Sequence, residues 1–134
     1  MRELTSQQEI EVILARHLAE CLAMPIFIVN PGGDLIFYNE PAEAILGLSY
    51  NETGMMPANE WTTIFQPVDH EGKSLPPEDL PLMIALSTHH PAHKLFWIQG
   101  KDGVSREIEV TAFPLIGQAE RFLGAVAIFW ESHG

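Results

Sequence analysis

The sequence predicts an α+β fold with about five antiparallel strands, short helices between two hairpins, and an N-terminal helix. Three observations carry this prediction. Turn-forming residues at 31–34 and 101–103 each separate two runs that are rich in apolar residues, as in β-hairpins. Residues 104–113 alternate between apolar and polar side chains, which is typical of a strand with one buried face. Short helical patterns lie between the two hairpins.

The N-terminal segment has the pattern of an amphipathic helix. Apolar side chains recur at helical spacing over residues 5–23, after a Ser6–Glu9 capping box. We therefore divide the chain into this helix, residues 1–22, and a single domain of residues 23–131. The helix is expected to cover the sheet and to contribute to a homodimer. The residues expected at this cap and dimer contact are Ile10, Ile13, Leu14 and Leu18 on the helix and Ala125, Ala127 and Phe129 on the last strand.

A hairpin and a short helix follow. Residues 26–29 and 35–38 are predicted strands joined by Pro31-Gly32-Gly33-Asp34. Asn39 is placed to cap a helix of residues 41–47, whose last residue, Gly47, can end it.

The next segment, residues 49–79, is expected to be irregular because it holds many of the prolines. Within it, Trp61, Ile64 and Phe65 are expected to pin the segment to the core. A longer helix is then predicted through about Ser87, with Asp79 as its candidate N-cap.

The last third of the chain is predicted to form three strands, residues 93–99, 104–113 and 122–130. The alternation in 104–113 places Ile108, Val110 and Ala112 on one face. Residues 122–130 are apolar on both faces, which favours a central strand covered on both sides.

Charge excludes some partners. The chain has 18 acidic residues against 7 Lys and Arg, a formal net charge of -11, which repels nucleic-acid phosphates and anionic membranes. No apolar signal region is present, and the longest apolar run is too short to span a bilayer. Because Cys21 is the sole cysteine, no intrachain disulfide can form, and the cytoplasm is the expected compartment.

The polar motifs do not indicate an enzyme or a metal site. Asp69, His70 and Glu71 are adjacent in a predicted loop, and no nucleophile motif accompanies them. His89, His90 and His93 surround Pro91, which breaks the helical register that would align ligands, so we expect a polar loop there.

The order of elements resembles the PAS fold. The resemblance implies an antiparallel sheet of about five strands with the short helices on one face, and the N-terminal helix is then expected on the other. The segment VNPGGDLIFYNEPAEAILGL is similar to the family's opening hairpin and first helix, with Asn39 at a commonly occurring asparagine. GKSLPPEDLPLMIAL resembles the approach to the long helix in PAS domains of bacterial sensor kinases. KDGVSREIEVTAFPL and GAVAIFWE resemble the last hairpin and strand. The resemblance covers residues 22–131 and implies a sensory domain in signal transduction.

The resemblance also bears on cofactors. Flavin-binding members carry a cysteine motif that this chain lacks, and their polar amides correspond here to Ile98, Ile108 and Val126. Flavin is therefore not expected. Haem-binding members often use a histidine on or near the long helix, and we do not expect haem at the histidines around Pro91.

By resemblance, an apolar cavity is expected between the sheet and the helices at 41–47 and 80–87. Met83 and Ile84 would form its helical wall, with Trp61 and Phe65 near the mouth. Its sheet wall would comprise Phe96, Ile98, Ile108, Val110, Ala112, Val126 and Ile128.

Because these side chains carry no charge, a fatty acid, another lipid-like molecule or a planar apolar compound would fit better than a polar metabolite. The first hypothesis is a sensor that binds such a ligand and passes the change to an unidentified signalling protein. The alternative is a ligand-free interaction module with a filled core, acting by dimerisation or docking. A haem sensor is the third.

Overall fold

The computed structural model describes residues 14, 17, 23–64, 66–99 and 103–132. Its helices are α1 (Glu40–Leu46), α2 (Tyr50–Thr53), α3 (Ala58–Ile64) and α4 (Pro81–Thr88). Its strands are β1 (Ile26–Val29), β2 (Leu35–Tyr38), β3 (Ala92–Gln99), β4 (Ser105–Ile116) and β5 (Phe122–Glu131). Single 3-10 turns are formed by Pro77–Asp79 and Gln118–Glu120. Most of the predicted N-terminal helix, including Ile10, Ile13 and Leu18, lies outside the described residues, whereas Leu14 is 60% exposed.

The strands form one five-stranded antiparallel sheet in the order β2-β1-β5-β4-β3. Both predicted strand pairs, β1 with β2 and β3 with β4, are present. The last strand enters between β1 and β4, so it is the central strand that its apolar sequence predicts. The predicted antiparallel sheet with helices is confirmed. In the part of the chain that the structure describes, no helix is long and apolar enough to cross a membrane.

The prediction that residues 49–79 are irregular is wrong for two short helices, α2 and α3. Ser49 caps α2, since its Oγ accepts a hydrogen bond from Asn51 N over 3.1 Å. In α3, Trp61 and Thr62 are buried. A helix of four or seven residues contains too few turns for a detectable periodicity, and it is held mainly by tertiary burial.

Helix α4 begins at Pro81 rather than after an Asp79 cap. Leu80 occupies the N-cap position in an extended conformation and makes no side-chain cap. The ring of Pro81 disfavours helical geometry at the preceding residue, which explains this start. Asp79 instead ends the exposed 3-10 turn.

The sheet has an inner face, covered by the helices, and an outer face. On the inner face lie Phe96, Ile98, Ile108, Val110 and Ala112, in agreement with the alternation of β4. The outer face has its own buried cluster, formed by Ile26, Ile28, Phe37 and Val126, with Ile128 and Leu115 packed against it.

The two faces of β5 are the reverse of the prediction. Ala125, Ala127 and Phe129 lie on the inner face, whereas Val126 and Ile128 lie on the outer face. The cause is the register with β4, which pairs Ala112 with Ala127. Directly paired residues of neighbouring strands share a face.

Gly124 permits the close approach of β5 to β1. Its φ is +128°, and a Cβ atom at this position would overlap the carbonyl oxygen of Val29. We expect Gly124→Ala to lower the free energy of unfolding by about 3 kcal/mol or more, because a clash adds to backbone strain. Denaturant titration measures this change.

Gly103→Ala is the matched control. Gly103 also has a positive φ, +81°, but apart from its own chain neighbours no heavy atom of the described residues lies within 4 Å of the position that an added Cβ would take. Strain alone should cost about 1 kcal/mol there. Equal losses in the two variants would show that the approach of β5 to Val29 is not the constraint.

Candidate functional site

An apolar cavity of about 70 Å³ lies between the inner face of the sheet and the helices. Its sheet side is formed by Phe27, Phe96, Ile98, Ile108, Val110, Ala127 and Phe129. Its other side is formed by Leu46, Trp61, Thr62, Pro67, Leu80, Pro81 and Leu82. No lining side chain among the described residues is charged. A ligand in this cavity would therefore be stabilised by the burial of apolar surface.

The structure brings Phe96, Ile98, Ile108 and Val110 together in the wall, where the sequence places them. Ala112 shares their face but is not among the lining residues. Val126 and Ile128 face away from the cavity, and Ala127 and Phe129 take their place. The sequence of β5 is apolar at every position of this stretch, so it contains no signal for which face is inward.

The helical wall also differs from the prediction. Leu80, Pro81 and Leu82 line the cavity, whereas Met83 and Ile84 do not. Helix α4 begins at Pro81, and it is its first turn that reaches the cavity. Met83 packs against the inner core without lining the cavity, and Ile84 lies two positions, or about 200°, beyond Leu82 around the helix. Phe65 lies outside the described residues.

Among the described residues, four aromatic side chains line the cavity, and two of them, Trp61 and Phe96, belong to the predicted site. The Phe27 and Phe129 ring centroids are 5.4 Å apart and those of Phe27 and Trp61 are 6.4 Å apart, both in edge-to-face geometry. The Trp61 indole N–H donates to Gly33 O over 2.7 Å, which ties α3 to the turn between β1 and β2. Sequence reasoning missed Phe27 because β1 is apolar on both faces.

The polar groups of the wall already have partners. The Thr62 hydroxyl donates to Ala58 O over 2.6 Å, and the Trp61 N–H is bound to Gly33. Since a buried polar group favours a ligand only where it gains a hydrogen bond, this wall favours apolar occupants.

The histidines lie away from this cavity. The His89 ring stacks on Phe122, with centroids 3.9 Å apart, and His93 Nε2 lies 2.9 Å from Glu109 Oε2. Among the described residues, no group of three or more His, Cys, Asp or Glu side chains is placed to hold a metal ion.

Asn39 positions α1, whose far end supplies Leu46 to the cavity. As predicted, it caps the helix: Oδ1 accepts from Ala42 N over 3.3 Å. The same oxygen accepts from Ile26 N over 2.9 Å, and Nδ2 donates to Met24 O over 2.8 Å. One buried amide therefore joins the start of α1 to the start of β1.

Comparison with known proteins identifies the family. A family model described as "PAS domain" matches residues 14–81. This chain belongs to the PAS domain family. A PAS domain is a sensory and signalling module, and the fold expected from the resemblance is confirmed. Among curated proteins, no sequence match was found.

Solved PAS structures share this fold at low sequence identity. The PAS domain of a Colwellia psychrerythraea protein matches with a TM-score of 0.64 and 17% identity over 90% of this chain and 96% of that one. The PAS domain of nitrogen regulation protein NR(II) from Vibrio parahaemolyticus gives 0.62 and 17% over 89% and 98%. The light-state dimer of the fungal blue-light photoreceptor Vivid gives 0.63 and 10% over 81% and 78%.

Replacement of Asn39 by Ala should destabilise the fold at both elements that it joins. It removes the helix cap and leaves Ile26 N and Met24 O without these side-chain partners, for a combined loss of about 2–4 kcal/mol. Thermal or denaturant unfolding measures the loss.

Ser49→Ala is its control, because Ser49 caps α2 at an exposed N–H. This variant should lose about 1 kcal/mol or less. If both variants lose the same small amount, Asn39 acts as a simple cap and not as a link to β1.

Proposed function

We propose that this PAS domain is a non-catalytic sensor that binds a small apolar ligand in the cavity and signals by contact with another protein. The observation that carries the proposal is the uncharged wall, whose Thr62 and Trp61 polar groups are already hydrogen-bonded. Such a wall favours the binding of hydrocarbon. It disfavours a polar metabolite, which would lose its hydration on binding.

The size of the cavity narrows the ligand class. At about 70 Å³ it is smaller than an engineered cavity of about 150 Å³ that binds benzene. A short hydrocarbon group fits the cavity as it stands. A planar ring or an acyl chain requires a wall to move, so the proposal favours the smallest members of the apolar class over a whole fatty acid.

Flavin is not the ligand that we propose. The inner-face residues Ile98 and Ile108 present aliphatic side chains to the cavity where flavin-binding members of the family have amides. Val126, which the resemblance also aligned with one of these amides, faces the outer side of the sheet.

Ala127→Val tests the ligand site, because Ala127 lines the cavity. Added methyl groups there fill empty space, so the free energy of unfolding should change by less than about 1 kcal/mol. Denaturing extraction and mass spectrometry should then recover a small apolar molecule from the natively purified wild type and much less from the variant.

Ala125→Val is the matched control: Ala125 shares the strand and the inner face but does not line the cavity. Overpacking at Ala125 should lower the free energy of unfolding by about 1–3 kcal/mol. The amount of ligand recovered per folded molecule should be unchanged. Recovery of no molecule from any of the three proteins, or equal recovery from all, would refute the ligand site.

A ligand-free interaction module is the second candidate, and the outer face of β3–β5 favours it. Leu95 is 49% exposed there, and the strands align it with Glu109 and Trp130. Phe113 is 36% exposed on the same face. Exposed apolar side chains that share one face are typical of contact surfaces. A homodimer through this face is our proposal for the assembly.

Leu95→Glu should convert the dimer into monomers, since it places a second carboxylate beside Glu109 in the contact. Light scattering at several protein concentrations measures the mass. Met55→Glu is the control, because Met55 is 59% exposed but lies in the segment between α2 and α3. A wild type that is monomeric at every concentration would contradict an interface at Leu95. Equal masses for the Leu95→Glu and Met55→Glu variants would contradict it as well.

A further inference from the structure

Arg106 joins three elements beside the cavity. Its Nη1 donates a hydrogen bond to Ile45 O, in the last turn of α1, over 2.9 Å. Its Nε lies 3.5 Å from Glu131 Oε1, at the end of β5. The Arg106 side chain is 17% exposed, so this junction is partly shielded from water. A cation is favourable both at a helix C-terminus and beside a carboxylate.

Each member of this Arg106 junction neighbours a residue of the cavity wall. Ile45 directly precedes Leu46 in the chain. In the sheet, Arg106 is paired with Ile98, and Glu131 is paired with Ile108. The corresponding wall residues are Leu46, Ile98 and Ile108. A displacement of a wall residue therefore acts directly on its neighbour in the junction, with no residue between them.

The contacts that Arg106 makes with Ile45 and Glu131 are unequal. The bond to Ile45 O has ordinary hydrogen-bond length, whereas the 3.5 Å separation from Glu131 exceeds the length of about 2.7–2.9 Å that is typical of a charged N–H···O pair. The Arg106 guanidinium therefore lies closer to the carbonyl of α1 than to the Glu131 carboxylate. If Ile45 moved outward, Arg106 could close on Glu131.

Helix α1 can move more readily than the sheet side of the wall. The sheet wall is held by ladder hydrogen bonds, and its strands β4 and β5 each have neighbours on both sides. Helix α1 has seven residues, tied by Asn39 at its start and by Arg106 at its end. An occupant larger than the cavity would therefore displace Leu46 before it displaced the strands.

We propose that Arg106 couples occupancy of the cavity to the end of β5. In the domain without an occupant, Arg106 holds α1 through Ile45 O. An occupant that pushes Leu46 outward breaks this bond, and Arg106 closes on Glu131 and stabilises the end of β5. There Ser132 N donates to Glu107 O over 2.9 Å. The inference rests on the proposed function, since it assigns the regulation of the same cavity. Because coupling is reciprocal, loss of the Glu131 charge should also weaken binding.

Benzene is the probe, because it is apolar and larger than the cavity. Methyl NMR signals of Leu46 and Ile108 report occupancy, and hydrogen exchange at Ser132 N–H reports the end of β5. In the wild type, benzene should shift both methyl signals and raise Ser132 protection by about fivefold or more, a coupling typical of linked sites. In Arg106→Met the methyl shifts should remain and the gain in protection should be lost.

Glu131→Gln keeps the size of the side chain and lies at a position that is 46% exposed, so the variant should fold. It should lose the gain in protection and bind benzene more weakly. A gain in Ser132 protection that is equal in the wild type, Arg106→Met and Glu131→Gln would overturn the coupling.

A different result separates failure of the ligand site from failure of the coupling. If benzene shifts neither methyl signal, the cavity does not accept this class of occupant and the proposed function is contradicted. Leu46→Phe then tests the junction without a ligand, since the larger side chain presses on the same wall. Ser132 protection above that of the wild type supports the coupling, and unchanged protection with a displaced α1 rejects it.

Discussion

The antiparallel pairing of β4 with β5 is the constraint on which the rest of the domain depends. The ladder runs from Ile108 opposite Glu131 to Ile116 opposite Phe122. Its register decides which side chains of an almost wholly apolar strand face the helices and which face the other side of the sheet. A shift by one residue would exchange the two sets, so the cavity, the inner core and the outer cluster all follow from this pairing.

The cavity depends on a small residue at one position of that ladder. Ala127 faces the helices beside the large rings of Phe27 and Phe129, and it does not fill the space that a larger side chain would occupy. The opposite wall is made of short helices that polar side chains hold in place. Asn39 fastens α1 to β1, Trp61 fastens α3 to the first hairpin turn, and Arg106 fastens the end of α1 to β4. The stiff wall is therefore the sheet, and the adjustable wall is the helical one.

The site was predictable where one strand face is polar and the other apolar. In β4, glutamates alternate with Ile108 and Val110, so the sequence identifies the inner face. The prediction was wrong for Val126 and Ile128, because residues 122–130 of β5 include no charged or strongly polar side chain that would mark the outer face. It was also wrong for Met83 and Ile84, because the start of α4 depends on the restriction that Pro81 places on Leu80. Phe27 and Leu46 come from distant parts of the chain, and only their packing brings them to one cavity.

Local sequence patterns were sufficient to predict the five strands, the two hairpins, the capping role of Asn39 and the resemblance to the PAS fold. These features depend on turn residues, a cap and period-two alternation, all of which act over a few positions. Tertiary packing was needed for the inward face of β5, the two short helices between Leu48 and Ile64, the size of the cavity and the partners of Arg106. The physical reason is that these features depend on contacts between residues far apart in the chain, such as Ile45 and Arg106, which are separated by 61 positions. No local pattern encodes such a contact.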